Sequence, residues 1–372
     1  ESLLLDIPAN TEIIRTKSYI PFKFFSFLKR IKLYRLFWFF LYPIFWESSV
    51  LWSIFSYKRA KKTIFENNIK LVYTFSGSLK LQKIKNFLKK IFASNTKSKS
   101  KKYISMHYDL GNKFFAEWLD PTLTYSSAIY ENQDDNLETG QKNKYKKLID
   151  LLKVKDGNKV LEIGCGWGGF SEYLAKNYDV NIDCITISKK QFEFAKERIY
   201  KNHLNHKINI ELKDYRDVNE KYNSIVSIEM IEAVGQNYLD SYFKTIKNNL
   251  NVNGTAAIQA IVIDDKLYKR YKTKEDFIQK YIFPGGFLPS KNSLEELSTK
   301  NGLKLDLMNS YGEHYSDTLR IWRDEFQKKW DLISKQGFDL TFKKMWDFYL
   351  SYCEAGFKSK NIDLIQFSLQ NK

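Results

Sequence analysis

Four glycines crowd behind one short apolar run. Lys159-Val160-Leu161-Glu162-Ile163 leads straight into Gly164-Cys165-Gly166-Trp167-Gly168-Gly169. Val160 to Ile163 has the composition of a buried parallel strand, and residues 171–177 that of a helix. Strand, glycine turn and helix together are how a doubly wound sheet receives a nucleotide-like ligand. Glycine lets the backbone approach closely, and the ligand lies beyond the carboxyl ends of the strands. A second chemical candidate is Ile228-Glu229-Met230-Ile231-Glu232-Ala233-Val234-Gly235, which begins where a fourth strand ends. Glu232 there is a carboxylate in an apolar neighbourhood, so it needs a partner or its pKa rises. An acid facing water at a helix start is the plainer alternative.

Two ligands compete for the glycine turn. A dinucleotide site reads G-x-G-x-x-G, with an acid about 20 residues on that binds a ribose. Here the order is G-C-G-W-G-G, Glu162 precedes the first glycine, and the second strand ends Thr186-Ile187-Ser188 with Gln191 nearby and no acid. The pattern resembles the E-x-G-x-G-x-G signature of S-adenosylmethionine methyltransferases. Glu162, Gly164, Gly166 and Gly168 are then candidate cofactor residues. The hydrogen bonds of the missing acid fall to Thr186 and Gln191. Asp214, Tyr215 and Arg216, after the third strand, are placed for an adenine edge and face. A tight turn without a ligand, and loop polar groups without one, are the competing readings.

The elements that must position these groups alternate. Residues 181–187, 208–212, 224–228 and 255–263 read as further strands, with helices at 189–200 and 239–249. This predicts an α/β fold with a parallel sheet covered on both faces, and with the glycine signature it resembles a Rossmann-like class I methyltransferase sheet. A helix over 142–152 leads into it. Segments 277–281, 294–300, 319–330 and 342–348 are expected to form a helical cap. The polar and aromatic stretch 107–128, with a turn at Pro121, suits a lid or site wall better than a core element.

With 372 residues, 43% of them hydrophobic and 16% aromatic, the chain can bury a large core and hold two domains. Its net charge of +17 is uneven: residues 1–102 carry 21 lysines and arginines against 5 acids, whereas 103–372 carry 39 against 38. The N-terminal part therefore meets nucleic acid or a membrane surface, unless its lysines form a solvated face. Arg35, Pro43 and Glu47 bound or interrupt the hydrophobic run 36–46, and a spanning helix needs about 20 apolar residues. Trp38, Trp46 and Trp52 suit the headgroup boundary instead. Over 78–94, Leu81, Ile84, Phe87, Leu88, Ile91 and Phe92 share one helical face flanked by five lysines. That is a membrane-surface pattern, with packing on the core as the alternative. Serines and lysines over 95–102 mark a linker. The domains are expected to be a mainly helical, basic membrane-docking region at 1–102 and a catalytic domain at 103–372. Cys165, Cys184 and Cys353 are odd in number and lack metal-type spacing, so no disulfide framework or metal is indicated. The expected location is cytoplasmic, peripherally on the inner face of the membrane.

Seven segments in order carry a more specific resemblance. They are H-Y-D-L-G-N at 107–112, L-D-P-T-L-T-Y-S-S-A at 119–128, L-E-I-G-C-G-W-G-G at 161–169 and I-V-S-I-E-M-I-E-A-V-G at 225–235. Y-I-F-P-G-G-F-L-P-S at 281–290, H-Y-S-D-T-L-R-I-W at 314–322 and Y-C-E-A-G-F at 352–357 complete the set. Over about 103–372 the chain resembles the cyclopropane-fatty-acyl-phospholipid synthases, including the mycolic acid cyclopropane synthases. The resemblance implies that the methyl of S-adenosylmethionine adds to a cis double bond of a phospholipid acyl chain, and that loss of a proton closes a three-membered ring. It implies a bound bicarbonate as base, held by Glu232, Tyr315, the backbone at Ile228, and two positions that depart from the family. Ser127 stands where the family often has cysteine, and Gln259 where it often has histidine. Both still offer hydrogen bonds, but histidine's charge is gone, which weakens the case for bicarbonate. Cofactor contacts map to Tyr125, Ser126, Gly164, Gly166, Gln191, Tyr215 and Arg216. If proton loss from the new methyl is slow, a hydride shift and loss of another proton give a methylene- or methyl-branched chain. The partner implied is an anionic phospholipid surface with unsaturated acyl chains, not nucleic acid, with a homodimer partner as a further candidate. A methyltransferase for another lipid or small metabolite, and a membrane-binding module with a vestigial cofactor site, are the alternatives.

Overall fold

A computed structural model describes residues 95–97, 99, 100, 103 and 110–371. The run 36–46, the stretch 78–94 and His107 to Asp109 lie outside the described residues.

Seven strands form one sheet in the order β3-β2-β1-β4-β5-β7-β6. They are β1 (Lys159–Ile163), β2 (Asn181–Thr186), β3 (Ile208–Leu212), β4 (Tyr222–Ile228), β5 (Leu250–Ile263), β6 (Leu303–Ser310) and β7 (Ile362–Asn371). The first five are parallel; β1 to β4 begin within two residues of where the sequence places them, whereas β5 begins five residues earlier, at Leu250. β7 runs antiparallel between β5 and β6, so the sheet is mixed and not wholly parallel as expected. Neither late strand stands out in the sequence: β6 is a half-exposed edge, and β7 interleaves apolar residues with Gln366, Ser368 and Gln370. Chain order reverses between β1 and β4, and that switch point opens a crevice at their carboxyl ends.

Eleven labelled helices surround the sheet: α1 (Asn112–Ala116), α2 (Leu137–Leu152), α3 (Gly169–Asn177), α4 (Lys189–Lys201), α5 (Ile231–Val234), α6 (Leu239–Asn249), α7 (Asp265–Tyr271), α8 (Lys291–Lys300), α9 (Gly312–Lys328), α10 (Trp330–Ser334) and α11 (Leu340–Lys358). Asn136 caps α2 by accepting the Thr139 N–H, and Ser188 caps α4 by accepting that of Gln191. The α8 segment, expected in the cap, lies instead against β6, with Leu294 in the same core as Leu303.

The cap is built from α1, α9, α10 and α11 around an aromatic core. Phe114 sits at its centre, with ring centroids of Phe115, Trp118, Phe326 and Trp346 at 5.1, 5.8, 6.4 and 5.1 Å. Such pairs add about 0.5–1.5 kcal/mol each beyond the area they bury. Phe114, Phe115 and Trp118 are buried, so this part of 107–128 is core and not a lid. The helix there has only five residues, too few to show a period. Residues 123–126, by contrast, do wall the crevice. All three cysteines are free. Among the described residues no helix is long and apolar enough to cross a membrane, and no cluster could hold a metal.

Candidate active site

A cavity of about 960 Å³ opens at the switch point. The glycine turn forms one side of it. Gly164, Gly166 and Gly168 have φ of 83°, 55° and 84°, in the left-handed region that only glycine enters freely. A Cβ on Gly166 would meet no atom within 4 Å, so it would stand in the open space where a ligand would lie. Gly168 does not line the cavity: it starts α3, and a Cβ there would meet Ala195 of α4 at 3.4 Å. Its part is close packing of the turn on α4, which corrects its assignment to the cofactor.

Glu162 contributes to the lining, yet its carboxyl accepts hydrogen bonds from the Ser171 hydroxyl and the Cys184 thiol. Burial pushes its pKa up to about 7, against the pull of those donors. The Thr186 hydroxyl donates to Gln191 Oε1 at 3.0 Å, and both residues line the cavity. Asp214 and Arg216 are a closed pair: Nε and Nη2 donate to the two carboxylate oxygens at 2.8 and 2.7 Å. Burial alone would raise the Asp214 pKa, but the guanidinium outweighs it and holds it below the usual range. The guanidinium lies 5.4 and 5.2 Å from the ring centres of Tyr215 and Tyr238. Its charge is therefore matched, and it braces flat groups beside the cavity. The Tyr125 hydroxyl shares a 2.8 Å hydrogen bond with that of Tyr349. The Ser126 hydroxyl accepts from Lys144 Nζ at 2.7 Å.

The other side of the cavity holds carboxylates. Glu229 follows the last residue of β4 with φ of 49°, uncommon for a residue with a side chain. Its carboxylate accepts three hydrogen bonds: from the Ser127 N–H at 2.8 Å, Gln259 Nε2 at 2.8 Å and the Tyr315 hydroxyl at 2.6 Å. Gln366 Nε2 donates to Gln259 Oε1 at 2.9 Å, which turns the Gln259 amide nitrogen toward Glu229. Burial raises the Glu229 pKa, and Tyr315, the charge of Lys144, Gln259 and Ser127 oppose the rise.

Three residues assigned to an anion site thus converge, but on Glu229 and not on Glu232. Ser127 takes part through its backbone, since its hydroxyl donates to the Ala128 carbonyl at 2.9 Å. Ile228 is paired with Gln259 in the β4–β5 ladder, and the backbone N–H that meets Glu232 is that of Ile261, at 2.5 Å. Glu232 Oε2 is buried with no hydrogen-bond partner among the described residues. Burial first, and then the Glu229 charge, push the Glu232 pKa up to about 8, so at neutral pH it holds its proton.

Over residues 95–367 the chain matches the family described as mycolic acid cyclopropane synthetase. It belongs to that family. The tuberculostearic acid methyltransferase UfaA1 of Mycobacterium tuberculosis is 37% identical over 74% of this chain and 66% of its own length. The cyclopropane-fatty-acyl-phospholipid synthase of Escherichia coli is 37% identical over 73% of this chain and 69% of its own. Among solved structures, the mycolic acid cyclopropane synthase CmaA1 in complex with SAH and CTAB aligns with a TM-score of 0.69 at 28% identity, covering 73% of this chain and 98% of that one. The protein is therefore an S-adenosylmethionine-dependent transferase of the cyclopropane synthetase family. The glycine cradle fits that cofactor, because the space a Gly166 side chain would fill is open and lined by Thr186, Gln191 and Tyr215.

Sequence reasoning passed over two residues of this synthetase site. Glu229 was visible as the first residue beyond the fourth strand, where the fold puts its site, but the apolar setting of Glu232 drew attention away from it. Lys144 is fully buried, and burial brings its pKa down to about 7 against nearby Glu229, Asp120 and Glu162. The signal was its place on the α2 face shared with Gln141, Leu148 and Leu151, at helical spacing.

Two outcomes follow from this geometry. Gly166→Val is expected to abolish S-adenosylmethionine binding in calorimetric titration while the circular dichroism spectrum is kept; a native-like titration would contradict the cradle. Folded Glu232 keeps its proton to about pH 8, whereas an unfolded carboxyl releases it near 4.5. The folded state thus binds more protons between those values, and the Glu232 contribution to stability falls as pH rises through that window. Glu232→Gln is expected to raise the melting temperature clearly at pH 8.5 and little at pH 5. A difference independent of pH would contradict the buried, protonated state.

Proposed function

We propose that the protein adds the methyl carbon of S-adenosylmethionine to a cis double bond of a phospholipid acyl chain and closes it to a cyclopropane ring. The observation that carries this reading is the Glu229 carboxylate, clasped by three donors in a cavity that reaches from the glycine cradle to apolar walls at Ile278, Phe283 and Phe357. Head-group chemistry would call for acids facing an amine in an open site. Here the acids are half-buried, Glu229 is already held by three donors, and the far walls are apolar or aromatic.

When bound, S-adenosylmethionine supplies a methyl activated by a sulfonium, so no general acid is needed to start the reaction. What the chain must supply is a dry slot and a base. An alkene that has accepted a methyl cation leaves a carbocation, and water would trap it. Tyr315, Tyr349 and Phe357 line the cavity, and aromatic rings favour positive charge without adding to it. Glu229 takes a proton from the new methyl, the C–H electron pair forms the third carbon–carbon bond, and the carboxylate becomes a carboxylic acid. Tyr315 and Gln259 hold the carboxylate by donating to it, and Lys144, when protonated, offsets its charge. In this reading Glu229 stands in the role that the resemblance gives to bicarbonate.

A second product is favoured by one comparison. Identity to the tuberculostearic acid methyltransferase equals that to the phospholipid cyclopropane synthase, at 37%. Glu229 is tethered to β4, so it reaches one place along the acyl chain, and the proton nearest to it decides between ring and branch.

Lipid mass spectrometry on cells expressing the protein is expected to show unsaturated acyl chains heavier by one CH2, with fragmentation assigning a ring. Branched fragmentation would move the product to the second reading. Unchanged acyl chains alongside methylated head groups would contradict both.

A further inference from the structure

We propose that the rim of the cavity, formed by Phe277, Tyr281, Phe348 and Tyr352, is a docking surface for an anionic phospholipid bilayer, which delivers the acyl chain to the site. The proposal rests on the acyl-chain reading above and adds where the lipid enters.

Four rings meet at this place. Tyr281, Phe348 and Tyr352 keep 53%, 51% and 42% of their surface exposed. All three converge on Phe277, with centroids at 5.4, 4.8 and 6.1 Å, and Phe348 and Tyr352 lie 5.9 Å apart. Single exposed apolar residues are ordinary, but a contiguous aromatic patch marks an interaction site. The patch is continuous with the cavity, because Tyr352 lines it together with Ile278 and Gln279 of the neighbouring turn.

Charge and amphipathic character select the occupant. Residues 265–283 carry Lys266, Lys269, Arg270, Lys272, Lys274 and Lys280 against Asp265, Glu275 and Asp276. Lys280 Nζ lies over the Tyr281 ring at 4.8 Å, and Lys272 Nζ over Tyr268 at 4.6 Å. Stems laid on rings with ammonium groups at the edge match the boundary between hydrocarbon and anionic headgroups. Helix α7 in this segment packs Tyr268 and Tyr271 on the core and leaves Lys266, Lys269 and Arg270 exposed. The physical need is direct. Every methylene that crosses water on its way to the cavity is unfavourable, so an acyl slot works best with its mouth pressed on the lipid.

The test uses the full-length chain with vesicles of unsaturated phosphatidylglycerol or phosphatidylcholine. Its second substrate is a short-chain unsaturated lysophospholipid held below its micelle concentration. The variant is Tyr281→Ser with Phe348→Ser, both exposed and outside the cavity lining. Vesicle turnover is expected to fall at least tenfold, and sedimentation with phosphatidylglycerol vesicles to weaken several-fold. S-Adenosylmethionine titration and turnover of the dispersed substrate should stay as in the native protein. Unchanged vesicle turnover overturns the docking surface, and so does an equal loss on both substrates. Light scattering that shows a native dimer dissociated by the variant would assign the patch to a second copy and also overturn the proposal. If the native protein turns over neither substrate, the acyl reading fails, while vesicle sedimentation still decides the docking surface.

Discussion

A carboxylate clasped by three donors at the wall of the cavity is the interaction on which the rest of this structure depends. Burying an unpaired carboxylate is strongly unfavourable, and a partner-less one would simply take up a proton. Burial raises the Glu229 pKa, and groups from four separate parts of the chain oppose the rise: the loop at Ser127, β5 at Gln259, α9 at Tyr315 and α2 at Lys144. Gln366 on β7 then fixes Gln259. That is why the late antiparallel strand matters to chemistry: it carries the group that sets the amide's orientation. Glu232, three residues on, lacks such a set of donors and holds its proton instead.

The proposed chemistry gives the cap a purpose. An enzyme that handles carbocations must keep water out while leaving room for a long apolar substrate. The aromatic core around Phe114 and Trp346 packs the cap, and among the described residues Tyr281 and Phe348 stay exposed at the rim. The closed Asp214–Arg216 pair and the left-handed glycines hold the opposite end ready for a polar donor.

Much of the fold was legible because its signals are local. Val160 to Ile163 followed by four glycines marks β1 and the switch-point crevice, and the next strand–helix alternations need no long-range information. Signals that depend on distant pairing were not legible. β7 is defined by its neighbours β5 and β6, and the core role of Phe114 by helices more than 200 positions away. In the site, residue types were readable and directions were not. Ser127 was weighed for its hydroxyl but contributes its N–H, and Gly168 was weighed for a ligand but packs on Ala195. Between Glu229 and Glu232, the sequence shows two acids three apart. Only the fold shows which one faces Tyr315 and Gln259.

The most direct measurement is turnover of Glu229→Gly with and without added bicarbonate, beside the native enzyme. If the tethered carboxylate is the base, native turnover is indifferent to bicarbonate. The glycine variant, whose backbone suits the φ of 49°, then loses about 100-fold or more. Bicarbonate entering the vacated space restores a large part of that loss. A native enzyme stimulated by bicarbonate, or a variant that keeps its rate without it, would contradict the account.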